Sequence, residues 1–330
     1  MKKESTRALR EGAMMVALTA ILMMLTRYMP LFSMAGVFVC GIPLAALAAR
    51  NNLKVLLPSF VVVFVVSILI DGNIISAISM ILMSCVPGAV AGYLLGRRRP
   101  FFITLCSTCM AVCIGWIFQL AVIELIIGNG IEEMFSQVMT QVEATMSELI
   151  NSMGENLDES LKVSPQQFSD MLISAMETTI RLYFPSFVII SSMITGYIII
   201  RVSGFVIKRA HLANIDSVPF SMLKAPRSMS IIAVIFYTIY IFMDNKSVLW
   251  SLIANVVMVL YTILGVCGLS VADYKLKTKI KSSVARFGIY LLIFFLGSAL
   301  MNIISNVLII VGILDAGRDF RQIGNYGRED

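Results

Sequence analysis

The chain has 330 residues, of which 58% are hydrophobic and 14% are charged, with a formal net charge of +6 and a mean hydropathy of +0.88. This composition excludes an ordinary soluble domain and is typical of a protein with many membrane-spanning helices. The basic excess requires no nucleic-acid partner, because it lies in loops between apolar segments, where it favours contact with anionic lipid headgroups.

About nine apolar segments are predicted as spans, since roughly 20 apolar residues cross the hydrocarbon core. The second segment is short, which is compatible with a tilted or partly buried helix, and the ninth is long enough to bend at Gly297 or Asn302, so the count ranges from eight to ten. The sequence therefore predicts an all-α, polytopic helical membrane protein. Its segments are residues 12–33, 35–49, 53–70, 73–96, 101–127, 183–207, 228–243, 247–270 and 286–314.

Lys and Arg are concentrated in every second loop between these segments, and such loops remain in the cytoplasm. We therefore expect a bacterial cytoplasmic membrane protein with a cytoplasmic amino terminus. The apolar stretch of the first segment exceeds the usual core of a signal peptide, and no small-residue cleavage pattern closes it before the next span, so it is predicted to be an uncleaved anchor. With nine spans, the carboxyl tail that contains Arg318 and Arg321 would lie outside.

Residues 128–182 interrupt the apolar pattern and are acidic at their start, which suits an external segment. Apolar residues recur there every three or four positions, as on one face of a helix. A new helix start is predicted at Ser164-Pro165, where a capping residue precedes a first-turn proline. We expect an external amphipathic helical hairpin; the alternative is a single stripe that lies on the lipid surface.

Small residues recur every fourth position in the fourth segment, at Ser84, Gly88, Gly92 and Gly96. This spacing lets another helix backbone approach closely. Packing within the chain is the simpler interpretation, and association with another protein is the alternative. Ala13 and Ala17 form a weaker pair of the same kind in the first segment.

Polar residues near the external ends of the apolar segments are the candidates for a ligand pocket. Ionised groups in hydrocarbon tend to face a cavity or a partner. Arg27, Asp71 and Glu124 could instead extend to the interface without binding anything. The candidate set is Arg27, Asp71, Asn73, Gln119 and Glu124.

The sequence predicts no enzyme, no cofactor and no metal site. Its six cysteines lie in apolar segments; Cys106, Cys109 and Cys113 share one helical face, but no His, Asp or Glu accompanies them on that face, and one helix face cannot surround a metal. His211 is the sole histidine. A phosphate-binding G-x-x-x-x-G-K-[ST] motif does not occur in the sequence, so ATP hydrolysis by that device is not expected.

Three short motifs, at residues 6–13, 268–274 and 312–321, resemble the YybS-like family of uncharacterised bacterial multi-pass membrane proteins. They are Thr6-Arg7-Ala8-Leu9-Arg10-Glu11-Gly12-Ala13, Gly268-Leu269-Ser270-Val271-Ala272-Asp273-Tyr274 and Gly312-Ile313-Leu314-Asp315-x-x-x-Asp319-Phe320-Arg321. This resemblance covers nearly the whole chain and implies no particular activity.

A more distant resemblance links residues 1–207 to the six-helix S components of energy-coupling factor transporters. It implies that Ala13 and Ala17 dock on a coupling subunit and that the loop from Arg27 to Ser33 covers a ligand pocket. The segment 128–182 would then be an insertion, and 208–330 would add a cytoplasmic loop, three spans and a polar tail; both depart from the S-component pattern.

Two functions are consistent with these features. The first is small-molecule binding, related to transport, by a protein without its own ATPase. The alternative is a non-transporting membrane scaffold whose external hairpin binds an envelope protein or a second copy of the chain.

Overall fold

The computed structural model describes residues 2–33, 35–51, 53–153, 165–212, 219–244, 247–296, 301–318 and 320–321, and helices dominate them. Short helical turns also occur at Pro30–Ser33, Gly36–Val39 and Phe220–Met222. The main helices are α1 (Lys2–Tyr28), α2 (Ile42–Arg50), α3 (Leu53–Asp71), α4 (Ile74–Gly96), α5 (Phe101–Ile127), α6 (Gly130–Met153), α7 (Pro165–Arg209), α8 (Arg227–Phe242), α9 (Val248–Lys279), α10 (Ser283–Leu296) and α11 (Met301–Arg318).

Six helices among the described residues, α1, α3, α4, α5, α7 and α9, are long and apolar enough to cross a membrane. The prediction of a polytopic helical membrane protein is therefore confirmed at this level, whereas the count of nine spans is not. The structure assigns several predicted spans different bounds, for local physical reasons.

The second predicted span, residues 35–49, is two short pieces rather than one helix. The turn at Gly36–Val39 is separated by Cys40 and Gly41 from α2, which has nine residues. Nine residues extend only about 14 Å along a helix. Pro43 to Ala48 are nevertheless all buried, so α2 is a core helix of the bundle rather than a lipid-facing span.

The sixth predicted span, 183–207, is part of the much longer helix α7. This helix begins at Pro165, within the helix start predicted from the sequence, and continues for 45 residues. At the standard rise it is about 68 Å long, roughly twice the thickness of the hydrocarbon core. Much of its amino-terminal part must therefore lie outside the apolar layer.

The ninth predicted span, 286–314, is divided into α10 and α11. The predicted bend at Gly297 lies outside the described residues. Arg321, just beyond α11, donates hydrogen bonds to the carbonyls of Ser221 and Leu223 in the segment that precedes α8. Arg321 therefore lies beside that basic segment, whereas the count of nine spans predicts it on the opposite side; two described helices, α10 and α11, follow α9 where the sequence predicts one.

The chain forms two compact units. Unit 1 comprises Met1–Arg181 and Ser191–Ser217, and unit 2 comprises Leu182–Ile190 and Val218–Asp330. In unit 1, α1, α2, α3 and α4 share one apolar core, to which the first helix contributes Val16 and Met23. In unit 2, a smaller core includes Ala233 of α8 and Leu264 of α9.

Glycines bring helix backbones together in unit 2, where α9 packs on α11. A Cβ atom on Gly268 would lie 1.9 Å from the carbonyl oxygen of Leu308, and one on Gly312 would lie 2.0 Å from that of Leu264. Real Cβ atoms do not approach oxygen so closely. Only glycine therefore permits this crossing, in which small residues replace side-chain interdigitation.

Candidate functional site

A cavity of about 270 Å³ lies in unit 1, where α1 and α3 end and α4 begins. The sequence predicts this end of the unit to be external. Two charged side chains, Arg27 of α1 and Asp71 of α3, line the cavity. Hydroxyl and thioether groups form much of the remaining wall, from Thr26, Ser33, Ser76, Ser79, Met80 and Met83.

Arg27 and Asp71 form a loose and unequal ion pair. Arg27 Nε lies 3.8 Å from Asp71 Oδ1, and the two side chains are 57% and 11% exposed. Ser67 Oγ donates to the other carboxylate oxygen at 3.4 Å. An ion pair with one well-exposed partner contributes only about 0–1 kcal/mol. Arg27 can therefore leave Asp71 at little cost, whereas the carboxylate stays shielded in the wall.

A π-helical turn at Ile81–Cys85 interrupts α4 beside this cavity. Ser84 Oγ, within the turn, donates to the carbonyl of Gly36 at 3.3 Å. The loop before α2 also approaches closely, since a Cβ on Gly41 would lie 2.2 Å from the Ser84 carbonyl oxygen. Single π turns inside α-helices are rare and frequently accompany functional sites. Met83, which lies within this turn, lines the cavity.

The other predicted pocket residues lie elsewhere. The Asn73 side chain accepts from the Ile75 N–H at 2.9 Å and caps α4. Glu124 Oε2 accepts from the Ile131 N–H at 3.1 Å, where α5 turns into α6. Gln119 is half-buried on α5. The cavity is not lined by any of these three side chains. The structure thus brings Arg27 and Asp71 together and gives Asn73 and Glu124 backbone partners.

Sequence reasoning overlooked the hydroxyl residues of the site. Ser76 and Ser79 are three positions apart in α4, so they share one helix face, and Ser33 lies in the short turn after α1. The available signal was their spacing at the start of an otherwise apolar segment. Serine is so common in apolar helices, where it bonds its own backbone, that this signal alone is weak.

The small-residue positions of α4 lie against the segment that contains α2. A Cβ on Gly88 would lie 2.5 Å from the Gly41 carbonyl oxygen, and one on Gly92 would lie 2.0 Å from that of Ala45. Gly96 approaches Ala49 in the same way, and Ser84 lies one turn before Gly88. By contrast, Ala13 and Ala17 both lie on an exposed face of α1.

Arg181 connects α7 to the start of α6. Its guanidinium donates to Glu132 at 2.9 Å and to Glu177 at 3.0 Å, and it lies 5.1 Å from the centre of the Phe135 ring. The hydrogen bonds from Arg181 hold the pKa of the Glu132 carboxyl below its usual range. Phe135 and Met139 are only 8% exposed. The base of the predicted hairpin therefore has a specific polar contact, while its tip, residues 154–164, lies outside the described residues.

The second and third sequence motifs meet in a buried polar cluster of unit 2. Arg321 Nη2 lies 2.7 Å from Asp315 Oδ2, and both side chains are 1% exposed. Arg321 Nη1 also donates to Ser270 Oγ at 2.8 Å. Nearby, Asp273 accepts from Arg286 Nε at 2.8 Å and from the Tyr290 hydroxyl at 3.2 Å. Both carboxylates are paired and hydrogen-bonded, the condition under which buried charges are tolerated.

Metal ligands are not gathered anywhere in the part of the chain that the structure describes, since no three His, Cys, Asp or Glu side chains are grouped to hold an ion. Cys106, Cys109 and Cys113 share one face of α5, and Cys109 Sγ lies 3.9 Å from the Met193 carbonyl. The latter contact is a weak hydrogen bond to the backbone. Cys106 is exposed and Cys109 and Cys113 are half-buried, as expected of small apolar side chains on a helix surface.

These features define the chain as a multi-pass helical membrane protein. It belongs to the family described as "Predicted membrane protein (DUF2232)", whose model matches residues 17–316. It is similar to the uncharacterized protein YybS of Bacillus subtilis (strain 168), with 22% identity over 275 residues that cover 81% of this chain and 84% of that protein. The assignment to a YybS-like family is thereby confirmed.

The likeness to S components of energy-coupling factor transporters has no such support. No solved structure matches the chain. That resemblance, and the docking and lid roles it implies, therefore remain predictions.

Proposed function

We propose that the chain binds a small polar molecule in the unit 1 cavity from the external side of the membrane, and that it does so without catalysis or an ATPase of its own. The observation that supports this proposal is the placement of Arg27 and Asp71 on one cavity of about 270 Å³ together with several hydroxyl side chains. Small-molecule sites commonly combine a concave wall with a few convergent polar groups.

The charges of the cavity favour a zwitterionic ligand. Asp71 is shielded and would attract a cationic group, whereas the more exposed Arg27 would attract an anionic one. A molecule with both groups would replace a loose 3.8 Å contact by two charge-assisted hydrogen bonds, which are stronger than neutral ones. The cavity volume restricts the ligand to the size of a small metabolite.

Coupling to an energy source would require another protein, and α1 offers a surface for it. Ala13 and Ala17 are exposed on one helix face, so a partner helix could approach the backbone closely. A coupling subunit in the membrane is therefore part of this proposal. Unchanged uptake after Ala13→Leu and Ala17→Leu would contradict this part without affecting the binding site.

Native mass spectrometry of the protein in lipid nanodiscs tests the binding proposal. We expect a retained small molecule in the natural chain and its loss in Asp71→Asn and in Ser79→Leu, which fills the cavity. Glu133→Gln is the matched control, because Glu133 is exposed at the same end of unit 1 and does not line the cavity. Equal retention in all four proteins would contradict the proposal.

A scaffold function is the second candidate, and exposed apolar residues on α6 and α7 favour it. Val138 and Met171 are 40% and 72% exposed in segments predicted to be external. We expect Val138→Glu with Met171→Glu to abolish capture of an envelope partner while the membrane part stays folded. Phe135 and Met139 are unsuitable for this test because they are buried. Unchanged capture by the double variant would contradict the scaffold role.

A further inference from the structure

A second cavity, of about 520 Å³, lies in unit 2 and is bounded by α8, α9, α11 and the part of α7 that belongs to this unit. Four tyrosines line it, and most of the remaining wall is aliphatic. Charged side chains do not occur among the described residues of this wall. The tyrosines are Tyr183, Tyr237, Tyr240 and Tyr261.

An interfacial aromatic belt accounts for only part of this cluster. Tyr240, near the end of α8, stacks on Trp250, near the start of α9, with ring centres 5.2 Å apart, as expected at a membrane surface. Tyr261 lies eleven residues after Trp250 on α9, hence about 16 Å further along the helix axis. With a hydrocarbon core about 30 Å thick, that position is near the middle of the bilayer.

The two deeper tyrosines have hydroxyl groups without partners. Tyr183 and Tyr240 form a side-chain hydrogen bond with each other. The rings of Tyr237 and Tyr261 are 5.2 Å apart, but neither hydroxyl has a hydrogen-bond partner among the described residues. Tyr237 is 40% exposed and Tyr261 is half-buried, so these hydroxyls face the apolar layer and the cavity rather than a closed protein core. A tyrosine hydroxyl that is away from water still favours a hydrogen-bond partner. Two unpaired hydroxyls beside a cavity in an apolar layer therefore indicate a polar group supplied from outside the chain.

We propose that this cavity binds an uncharged single-chain lipid with a hydroxyl or carbonyl group at its polar end. The polar end would hydrogen-bond Tyr237 and Tyr261, and the hydrocarbon chain would lie along the aliphatic wall formed by Val257, Val266 and Ile309. A charged head group is disfavoured because the described wall offers no counter-charge, and an unpaired charge is expensive in this layer.

Photolabelling of the full chain tests the proposal. The protein is reconstituted in nanodiscs of phosphatidylethanolamine and phosphatidylglycerol and illuminated with a hexadecanol that carries a diazirine in mid-chain. We expect saturable labelling of the α9 and α11 peptides that contain Val266 and Ile309. The hexadecanoic acid of the same design should label these peptides at least about fivefold less, because its ionised head group would lie in the apolar layer beside the two tyrosines without a counter-charge.

Variants separate this site from general lipid contact. Tyr237→Phe with Tyr261→Phe removes only two hydroxyls and should lower labelling by about fivefold, the loss expected when two hydrogen bonds are removed. Gly265→Leu should abolish labelling, since a Cβ there has only an ordinary 3.6 Å contact with Ile309 and a longer side chain enters the cavity. Val256→Leu, on the exposed side of α9, is the control and should label normally.

Several results would overturn the proposal. Equal labelling by the alcohol and the acid would indicate an unselective apolar groove. Unchanged labelling of the double phenylalanine variant would remove the role of the two hydroxyls. Stronger labelling by a trimethylammonium probe of the same chain length would instead indicate an aromatic cage for a cation. The double variant keeps the test decisive even if Gly265→Leu does not fold.

Discussion

The side-chain amide of Asn255 in α9 is hydrogen-bonded to the backbone of α7 at Ser186. Asn255 Oδ1 accepts from the Ser186 N–H at 3.0 Å, and Nδ2 donates to the Leu182 carbonyl at 2.8 Å. Pro185 lies immediately before Ser186, and an internal proline removes one helical donor and crowds the preceding turn. Asn255 therefore provides partners for the backbone at a point where an apolar environment cannot.

Replacement of Asn255 by leucine should lower the stability of the protein. The variant loses its bonds to Ser186 and Leu182, and we expect a cost of about 1–3 kcal/mol because backbone groups are left without partners. Thermal unfolding in detergent micelles measures the change. Thr262→Val is the control, since the Thr262 hydroxyl bonds only the Met258 carbonyl one turn earlier on its own helix. An equal loss in both variants would contradict a special role for Asn255.

A double-mutant cycle tests whether the proline is the reason for this contact. Pro185→Ala restores a backbone N–H, so that α7 can satisfy more of its own carbonyls. We then expect Asn255→Leu to cost roughly 1 kcal/mol less in the Pro185→Ala background than in the natural chain, as for residues that share a network. Additive effects would show that the two residues act independently.

The buried pair of Arg321 and Asp315 should be essential to the stability of unit 2. Arg321→Ala leaves the carboxylate of Asp315 buried without its cation, and removal of one partner of such a pair costs about 3–5 kcal/mol. Arg318→Ala should have little effect, because Arg318 is exposed three residues earlier. Thermal unfolding compares the two variants. Equal stability of both proteins would mean that the cluster contributes nothing.

Which of these features the sequence can predict depends on the range of the interaction. The helix start at Pro165 and the long apolar segments are encoded by local signals, and most of the helices can be predicted from those signals. The division of 286–314 into α10 and α11 does not, because an apolar run of that length is compatible with one bent helix. The contact of Arg321 with Ser221 and the packing of Gly312 on α9 both depend on residues far apart in the sequence, and no local pattern encodes such contacts.

The same distinction between local and long-range signals applies to the candidate site. Arg27 and Asp71 could be paired from sequence because each lies at the end of an apolar segment on the predicted external side. Glu124 met the same criterion but caps the backbone at Ile131, a use of carboxylates that charge placement alone cannot distinguish from ligand binding. The serines of the cavity required a knowledge of which face of α4 meets α1.

Substitution of Gly92 should disrupt unit 1 far more than substitution of Gly204, a helical glycine that has room for a Cβ. In Gly92→Ala the new Cβ would lie 2.0 Å from the Ala45 carbonyl oxygen, so α2 and α4 must separate. Overpacking of this kind costs about 1–3 kcal/mol or more. Gly204→Ala is the matched control, since its nearest contact is 3.9 Å away. Thermal unfolding should place Gly92→Ala well below the natural chain and Gly204→Ala at or above it, because alanine favours a helix interior where there is room for its Cβ. Equal stability of the two variants would contradict the close packing.

Cysteine labelling in intact cells should place the tail with the basic loops. We expect a membrane-impermeant maleimide to label Glu133→Cys, at the start of α6, but not Arg318→Cys, at the end of α11. The second expectation follows from the contact of Arg321 with the segment between α7 and α8, which is rich in Lys and Arg. Both should label after the cells are opened. Labelling of Arg318→Cys in intact cells would place this end of unit 2 outside.

Acid should loosen the contact between α6 and α7 through Glu132. Because Arg181 holds the pKa of Glu132 below 4.5, the contact favours the folded arrangement above that pH and is lost as the pH falls through the lowered pKa. Hydrogen exchange of the peptide that begins at Gly130, corrected for intrinsic rates, should therefore accelerate below pH 4.5. Glu132→Gln should exchange fast at every pH, whereas Glu133→Gln, one residue further on, should keep the natural pH profile. A profile that is identical in all three proteins would mean that Arg181 does not hold α6 through this carboxylate.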